Sequence, residues 1–266
     1  MATAISLITL LTDFGDRDYF VASMKGVILG INPQARIVDL THQVAPQQIE
    51  DAAYVLKSAY RYFPDGTVHV AVVDPGVGST RRPLLATTSR YFFLAPDNGL
   101  LTSIYQEELS VEVREIENRQ YRLDSEGATF DGRDLFAPAA AWLTRGQAPG
   151  SYGRLIRDMV KLPMQEPSWQ GSGLVGRIVY VDWFGNLISN LTPLHVKEVQ
   201  GVSKRSNITI RIAGATMEGL TNCYADAIPG QPHALINSNG QLEIFVKEGS
   251  AAEALKAGRG ERIELL

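Results

Sequence analysis

The chain has 266 residues, enough for one large domain or two modest ones that bury a core without disulfides or a structural metal. Hydrophobic residues make up 45% and charged residues 20%, which excludes a mainly disordered chain. Lys and Arg number 25 against 29 Asp and Glu, a net charge of −4 that argues against a nucleic-acid or anionic-membrane binder.

Ile5 to Leu11 is a short, β-branched apolar run that predicts a buried strand. The polar loop Thr12-Asp-Phe-Gly-Asp-Arg-Asp18 follows, then helical spacing from Tyr19 to Ile31, stopped by Asn32-Pro33. Arg36 to Leu40 predicts a second strand, Gln47 to Phe63 a second helix, and Thr67 to Val73 a third strand. This strand–helix alternation is the signature of a mainly parallel α/β sheet. Leu84 to Thr88 and Tyr91 to Ala95, two residues apart, predict a hairpin. A short helix over 98–105, a strand over 111–116 and an apolar helix from Arg133 to Leu143 follow, with Pro138 expected to bend the last.

Residues 146–173 are punctuated by Gly and Pro and read as a linker. Beyond it the runs at 174–182, 186–191, 207–213, 233–236, 242–246 and 262–265 are strand-like, and 194–200 and 250–257 are helical. The expected architecture is an α/β domain over 1–160 and an all-β, barrel-like domain over 172–266.

Single Cys223 rules out an internal disulfide framework. No apolar run reaches the ~18 residues of a membrane span. Met1-Ala-Thr-Ala-Ile5 lacks the basic and apolar regions of a signal peptide, so a cytoplasmic location is expected. The four histidines are dispersed without metal-ligand spacing, and His69, in an apolar strand, reads as a buried and satisfied side chain.

Three polar clusters could carry chemistry. The first is Asp13-Phe-Gly-Asp16-Arg-Asp18, at the carboxyl end of the first strand, where ligands of open α/β sheets bind. Its carboxylates could hold ribose hydroxyls, an ammonium group or a metal; Asp16 or Asp18 could equally cap the helix that follows. The second is Asp74-Pro-Gly-Val-Gly-Ser-Thr-Arg81 after the third strand. A carboxylate and a guanidinium seven apart in a Gly-rich loop can meet and orient a water, or form a structural ion pair. The third is Thr129-Phe-Asp-Gly-Arg-Asp134, in which Asp131 is an active group or a helix cap. In the second half, Asp182-Trp-Phe-Gly-Asn186 and Asn237-Ser-Asn-Gly240 read as turns, although an aromatic followed by Asn also suits a purine.

Five motifs in order resemble the S-adenosylmethionine (SAM) hydroxide adenosyltransferases, a family related to the fluorinase and chlorinase. They are Leu11-Thr-Asp-Phe-Gly15, Val73-Asp-Pro-Gly-Val-Gly78, Ala95-Pro-Asp-Asn-Gly-Leu100, Phe184-Gly-Asn186 and Ile236-Asn-Ser238. The resemblance implies hydrolysis of SAM, in some members its R-sulfonium epimer, to adenosine and L-methionine. It implies a homotrimer with SAM held between subunits. No cofactor or metal is implied, SAM being the substrate, and adenosine is a candidate to co-purify. Carried over by position, Asp13 holds the ribose hydroxyls, Asp18 and Asp182 the methionine ammonium, Phe184 and Asn186 the adenine, and Ser238 the methionine carboxylate. Asp74 and Arg81 match two members of the family's water-activating Asp–Arg–His set. The third is replaced, since the family's Phe-His-Gly-Arg-Asp reads Phe130-Asp131-Gly132-Arg133-Asp134 here. An ionised Asp131 accepts hydrogen bonds but cannot donate one.

The competing readings are a non-catalytic SAM or adenosine binder, a metal-dependent phosphohydrolase built on Asp13, Asp16, Asp18 and Asp97, and a halogenase. The last is disfavoured because ionised Asp74 and Asp131 would repel a halide.

Overall fold

The computed structural model describes residues 6–203 and 207–266; Ile5, at the start of the first predicted strand, lies outside them. The chain divides into two units, Met1–Leu162 and Pro163–Leu266, a boundary that falls within the Gly- and Pro-punctuated 146–173 segment.

The first unit contains β1 (Leu7–Thr12), α1 (Phe20–Ile31), β2 (Arg36–Thr41), α2 (Ile49–Ala59), β3 (Val68–Val72), β4 (Pro83–Thr87), β5 (Phe92–Pro96), α3 (Thr102–Glu107), β6 (Glu112–Glu115), α4 (Ala137–Thr144) and β7 (Leu155–Ile156). Its seven-stranded sheet has the order β2-β1-β3-β5-β4-β6-β7. Side-chain alternation along each strand splits the core in two. Ile8, Leu10, Val68, Val70 and Val72 pack with Met24 and Ile28 of α1 and Ala139 and Ala140 of α4. Leu11, Ala71 and Val73 pack on the other face with Ala52 and Leu56 of α2 and Ile104 of α3.

The expectation of a mainly parallel sheet needs correction, because the sheet is mixed. β2, β1, β3 and β5 run parallel, and β5–β4, β4–β6 and β6–β7 are antiparallel. The cause is the 88–91 turn, where Thr88 N–H donates to the Tyr91 carbonyl at 2.9 Å. It folds β5 back on β4, so β4 runs against its neighbours β5 and β6, and β7 runs against β6. The predicted bend at Pro138 is a single π-helical turn over Gly132–Phe136, after which Pro138 sits in the first turn of α4. Proline has no N–H to offer the Asp134 carbonyl, and Leu123 N–H supplies a hydrogen bond there at 2.8 Å.

The second unit contains β8 (Ser168–Gln170), β9 (Gly173–Val181), β10 (Leu187–Ser189), α5 (Pro193–Ser203), β11 (Thr209–Ile212), β12 (Ala215–Glu218), β13 (Pro232–Ile236), β14 (Leu242–Val246), α6 (Ala251–Leu255) and β15 (Arg262–Leu265). Its antiparallel sheet has the order β12-β11-β15-β9-β10-β14-β13, with β8 paired to β9. Thr221, just past β12, donates to the Ala234 carbonyl of β13 at 2.8 Å, so the sheet curls nearly shut. The unit is barrel-like but not all-β: Val196 and Val199 of α5 and Ala251 of α6 belong to its apolar core. Among the described residues, no helix is long and apolar enough to cross a membrane.

His69 on β3 is fully buried, as expected, but only half satisfied. Nδ1 is 2.8 Å from Thr9 Oγ1, while Nε2 has no hydrogen-bond partner among the described residues. The ring stacks on Phe93, with centroids 5.1 Å apart. Burial pushes its pKa down to about 3. The unfolded chain therefore binds the proton first as pH falls, and stability drops below the unfolded value of about 6.5. From about pH 8 to about pH 5 this group alone is expected to remove about 2 kcal/mol. Urea unfolding across that range checks it: the Thr9→Val/His69→Leu double variant should show a correspondingly shallower acid slope.

Candidate active site

β3 ends at Val72, and the chain enters a loop that returns to the sheet at Pro83. Both ends of this loop are pinned by the Ala95-Pro-Asp-Asn-Gly-Leu100 segment. Asn98 Nδ2 donates to the Val73 carbonyl at 2.8 Å. Asp97 takes Arg82 Nε at 2.9 Å and Nη2 at 2.6 Å, and also accepts from Val160 N–H at 2.8 Å. Asp97 is thus a buried structural clamp, not a partner for the carboxylates of the Asp13 loop. Gly99 adopts φ +95°, and a Cβ there would lie 2.8 Å from Leu162 Cγ, so this turn requires glycine.

Inside the pinned loop, Arg81 bridges two carboxylates. Its Nε donates to Asp74 Oδ2 at 2.7 Å, and its Nη2 lies 2.5 Å from the same oxygen. Nη2 also donates to Asp131 Oδ2. The side chains of Asp74, Arg81 and Asp131 are 5%, 11% and 13% exposed. Burial alone would lower the Arg81 pKa; hydrogen bonds and charge from Asp74 and Asp131 outweigh it and hold the guanidinium above its ordinary value. Arg122 Nη2 approaches Asp131 Oδ1 at 3.7 Å. Asp74 Oδ1 is buried and has no hydrogen-bond partner among the described residues. It lies 3.6 Å from where a Cβ on Gly76 would stand, a position that would also press on Arg81 Cγ at 3.3 Å and Ser79 Oγ at 3.4 Å.

Asp131 occupies the position before the π turn, yet its carboxylate caps nothing, because it is turned toward Arg81. The capping alternative fails for Asp16 and Asp18 as well: α1 starts after Tyr19 without a side-chain cap, and both carboxylates are exposed. Asp13 lies on the same side of the unit as Asp131. Phe14, beside Asp13, meets Phe130, beside Asp131, edge to face at 5.9 Å, and Phe20 meets Phe130 at 5.1 Å. A Cβ on Gly132 would stand 3.1 Å from both the Phe14 and Phe130 rings, so this glycine permits their approach. Arg133 lies over the Phe130 ring at 5.1 Å while gripping Asp134 with two hydrogen bonds of 2.6 and 2.9 Å. The Asp13, Asp74 and Asp131 loops therefore form one connected set. Asp13 Oδ2 accepts from Gln47 N–H at 2.8 Å.

In the second unit, Asp182 organises the predicted adenine-binding turn. Its Oδ1 accepts from the Phe184 and Asn186 N–H groups at 2.9 Å each, and its Oδ2 accepts from Asn186 Nδ2 at 2.9 Å. Trp183 and Phe184 are left 91% and 74% exposed. Ser238 is exposed in the turn Asn237–Gly240, where Asn237 Oδ1 accepts from Asn239 and Gln241 N–H. Asn237 also donates to Glu243 Oε2 at 3.1 Å, and Tyr224 Oη donates to Glu243 Oε1 at 2.7 Å. Desolvation, aided by the Asp182 charge, raises the Glu243 pKa despite both hydrogen bonds. Glu243 and Tyr224 are additions to the expected set. The available signal was one acidic residue within the apolar strand Leu242–Val246.

No group of three or more His, Cys, Asp or Glu side chains among the described residues is arranged to hold a metal ion.

The chain matches the SAM hydroxide adenosyltransferase N-terminal domain over residues 8–153 and the C-terminal domain of the same family over residues 176–264. It belongs to that family. An (R)-S-adenosyl-L-methionine hydrolase of Thermus thermophilus is 36% identical over 96% of this chain and 98% of its own length. An enzyme of the same name from Salinispora tropica is 32% identical over 97% of each chain. The crystal structure of an uncharacterized conserved protein from Thermotoga maritima superposes with a TM-score of 0.89 at 34% identity, covering 97% of this chain and 99% of that one.

Removing the bridging guanidinium leaves two largely buried carboxylates without a cation. Arg81→Met is expected to cost about 3 kcal/mol in urea unfolding at neutral pH. Arg81→Lys should recover only part of this, because a single ammonium lacks the planar fork that serves both carboxylates.

Proposed function

We propose that this protein hydrolyses SAM, with the R-sulfonium epimer as preferred substrate, to adenosine and L-methionine. The observation that carries the reading is the pairing of a buried carboxylate oxygen without a hydrogen-bond partner among the described residues, Asp74 Oδ1, with a guanidinium that engages the other oxygen of the same group. Oδ1 is suited to accept a hydrogen bond from a water and so direct a water lone pair at carbon.

The chemistry asks little else of the protein. The water oxygen forms a bond to C5′ of the ribose as the C5′–S bond breaks. Sulfur keeps the bonding pair and leaves as the neutral thioether of methionine. The water's surplus proton passes toward Asp74 and on to solvent. Because a sulfonium is a good leaving group, most of the barrier is lowered by holding water and carbon in line and excluding competing solvent. Arg81 holds the Asp74 carboxylate in place, and Asp131 holds Arg81 in place. A halide would face two carboxylates at this position and be repelled, whereas a water is held.

The remaining roles belong to the same proposal. Asp13 takes the ribose hydroxyls, with Oδ2 already steadied by Gln47. Asp18 and Asp182 take the methionine ammonium, Phe184 and Asn186 the adenine, and Ser238 the carboxylate. The exposed Phe184 ring supports stacking on a base. The protein acts as a homotrimer, each substrate being shared with a neighbouring subunit, and works in the cytoplasm, where a chain with one cysteine suits a reducing compartment.

The test is incubation of the purified protein with each SAM epimer in the presence of EDTA, with adenosine and methionine separated by chromatography. Wild type is expected to release both products. Asp74→Ala is expected to be slower by about 100-fold or more while still binding SAM by calorimetry. SAM binding without turnover in wild type would contradict the hydrolase and leave a binding protein in which Asp131 no longer supports reaction.

A further inference from the structure

A second buried polar group sits behind the Asp13 loop and takes no part in the chemistry described above. His42 follows β2, and its side chain is 9% exposed. Nδ1 lies 2.8 Å from Thr12 Oγ1, the residue before Asp13. That hydroxyl oxygen also accepts from Phe14 N–H, the residue after Asp13, at 3.2 Å. The His42 carbonyl accepts from Gly15 N–H at 2.8 Å. On its far side, Nε2 lies 3.1 Å from Asp39 Oδ1, in electrostatic contact but without a straight hydrogen bond. Asp39 Oδ2 accepts from Lys25 Nζ of α1 at 2.6 Å.

The direction of these links follows from charge. A carboxylate beside Nε2 favours the tautomer that carries the ring proton there. Nδ1 is then an acceptor, the Thr12 hydroxyl donates to it, and the hydroxyl oxygen remains free to accept from Phe14. Each link polarises the next in the same sense, from the Phe14 amide through Thr12 and His42 toward Asp39. The groups so held lie on both sides of Asp13. Asp13 itself is tied from the same stretch of chain by Gln47 N–H, and Gln47 adopts φ +66°, a conformation disfavoured for a residue with a side chain. The surroundings over-determine this loop.

We propose that His42 is a positioning residue: through Thr12 it locks the loop that aims the Asp13 carboxylate at the two hydroxyls of a ribose. Lys25 and Asp39 hold the imidazole in turn. The proposal rests on the reading of Asp13 as the ribose-binding carboxylate. A carboxylate that must accept from two adjacent hydroxyls works only at a defined angle, so a loosened loop weakens binding before it slows the bond-breaking step.

Two measurements on the full chain test it. In steady-state kinetics with the SAM epimer that wild type turns over, His42→Ala is expected to raise KM about tenfold, the effect of one lost buried hydrogen bond, with kcat within about threefold. Thr12→Val keeps the volume, removes the hydroxyl, and should give the same shift should His42→Ala fold poorly. His42→Gln retains one donor and one acceptor and should recover most of the loss. In amide hydrogen exchange without ligand, Phe14 and Gly15 should exchange faster in His42→Ala and Thr12→Val than in wild type. A fall in kcat at unchanged KM, or unchanged exchange at Phe14 and Gly15, overturns the proposal. The two possible failures are separable: wild type that binds no SAM defeats the functional reading, and unchanged exchange defeats the lock.

Discussion

One guanidinium serving two carboxylates is the constraint on which the candidate site depends. Arg81 meets Asp74 through Nε and Nη2 and meets Asp131 through Nη2 again. Two largely buried carboxylates brought to one place repel each other and lose hydration, and a planar, permanently charged fork offsets both effects. Because both Arg81 contacts fall on Asp74 Oδ2, the Oδ1 atom is left without a hydrogen-bond partner among the described residues. A structural ion pair and a polar atom available to water are thus two sides of one arrangement.

The fold supplies this arrangement from three places in the sequence. The Asp74 loop is anchored at both ends by Asp97 and Asn98, which hold Arg82 and the Val73 carbonyl. The Asp131 loop is anchored by the Arg133–Asp134 pair and by the π turn ahead of Pro138. The Asp13 loop joins them through the Phe14, Phe20 and Phe130 rings, which close around Gly132. Asp131 brings a second carboxylate to this point. Arg81 meets it directly, and Arg122 stands 3.7 Å away on its other oxygen. Asp131 is thereby tied to Arg81, accepting a hydrogen bond from its guanidinium.

Much of this was legible in the residues. Asp74 and Arg81 are close in sequence within a Gly-rich loop, so their meeting is a local event. The early helices and strands follow from apolar spacing, and their bounds fall within a few residues of those expected. What was hidden depends on partners distant in sequence or on strand direction. Spacing predicts the β4–β5 hairpin and the two helices of the second unit, but not that β5 joins β3 while β4 lies between β5 and β6, nor that α5 and α6 belong to the apolar core of their unit. Asp97 looked like one of several acidic groups near strand ends until Arg82 and the Val160 amide claimed it. His42 carried no spacing signal, because its partners Thr12 and Asp39, and Lys25 behind Asp39, come from three different elements. His69 was correctly placed inside, but a fully satisfied ring was too generous, since Nε2 faces an aromatic environment.

The central claim is that a water steered by Asp74 attacks C5′ of the substrate. Reaction in water enriched in oxygen-18, with mass spectrometry of both products from a single turnover, tests it most directly. The account predicts one labelled oxygen, on the 5′-hydroxyl of adenosine, and unlabelled methionine. Label in the amino-acid product, or an adenosine free of label, would mean that the oxygen enters elsewhere and that the Asp74–Arg81–Asp131 geometry serves a different reaction.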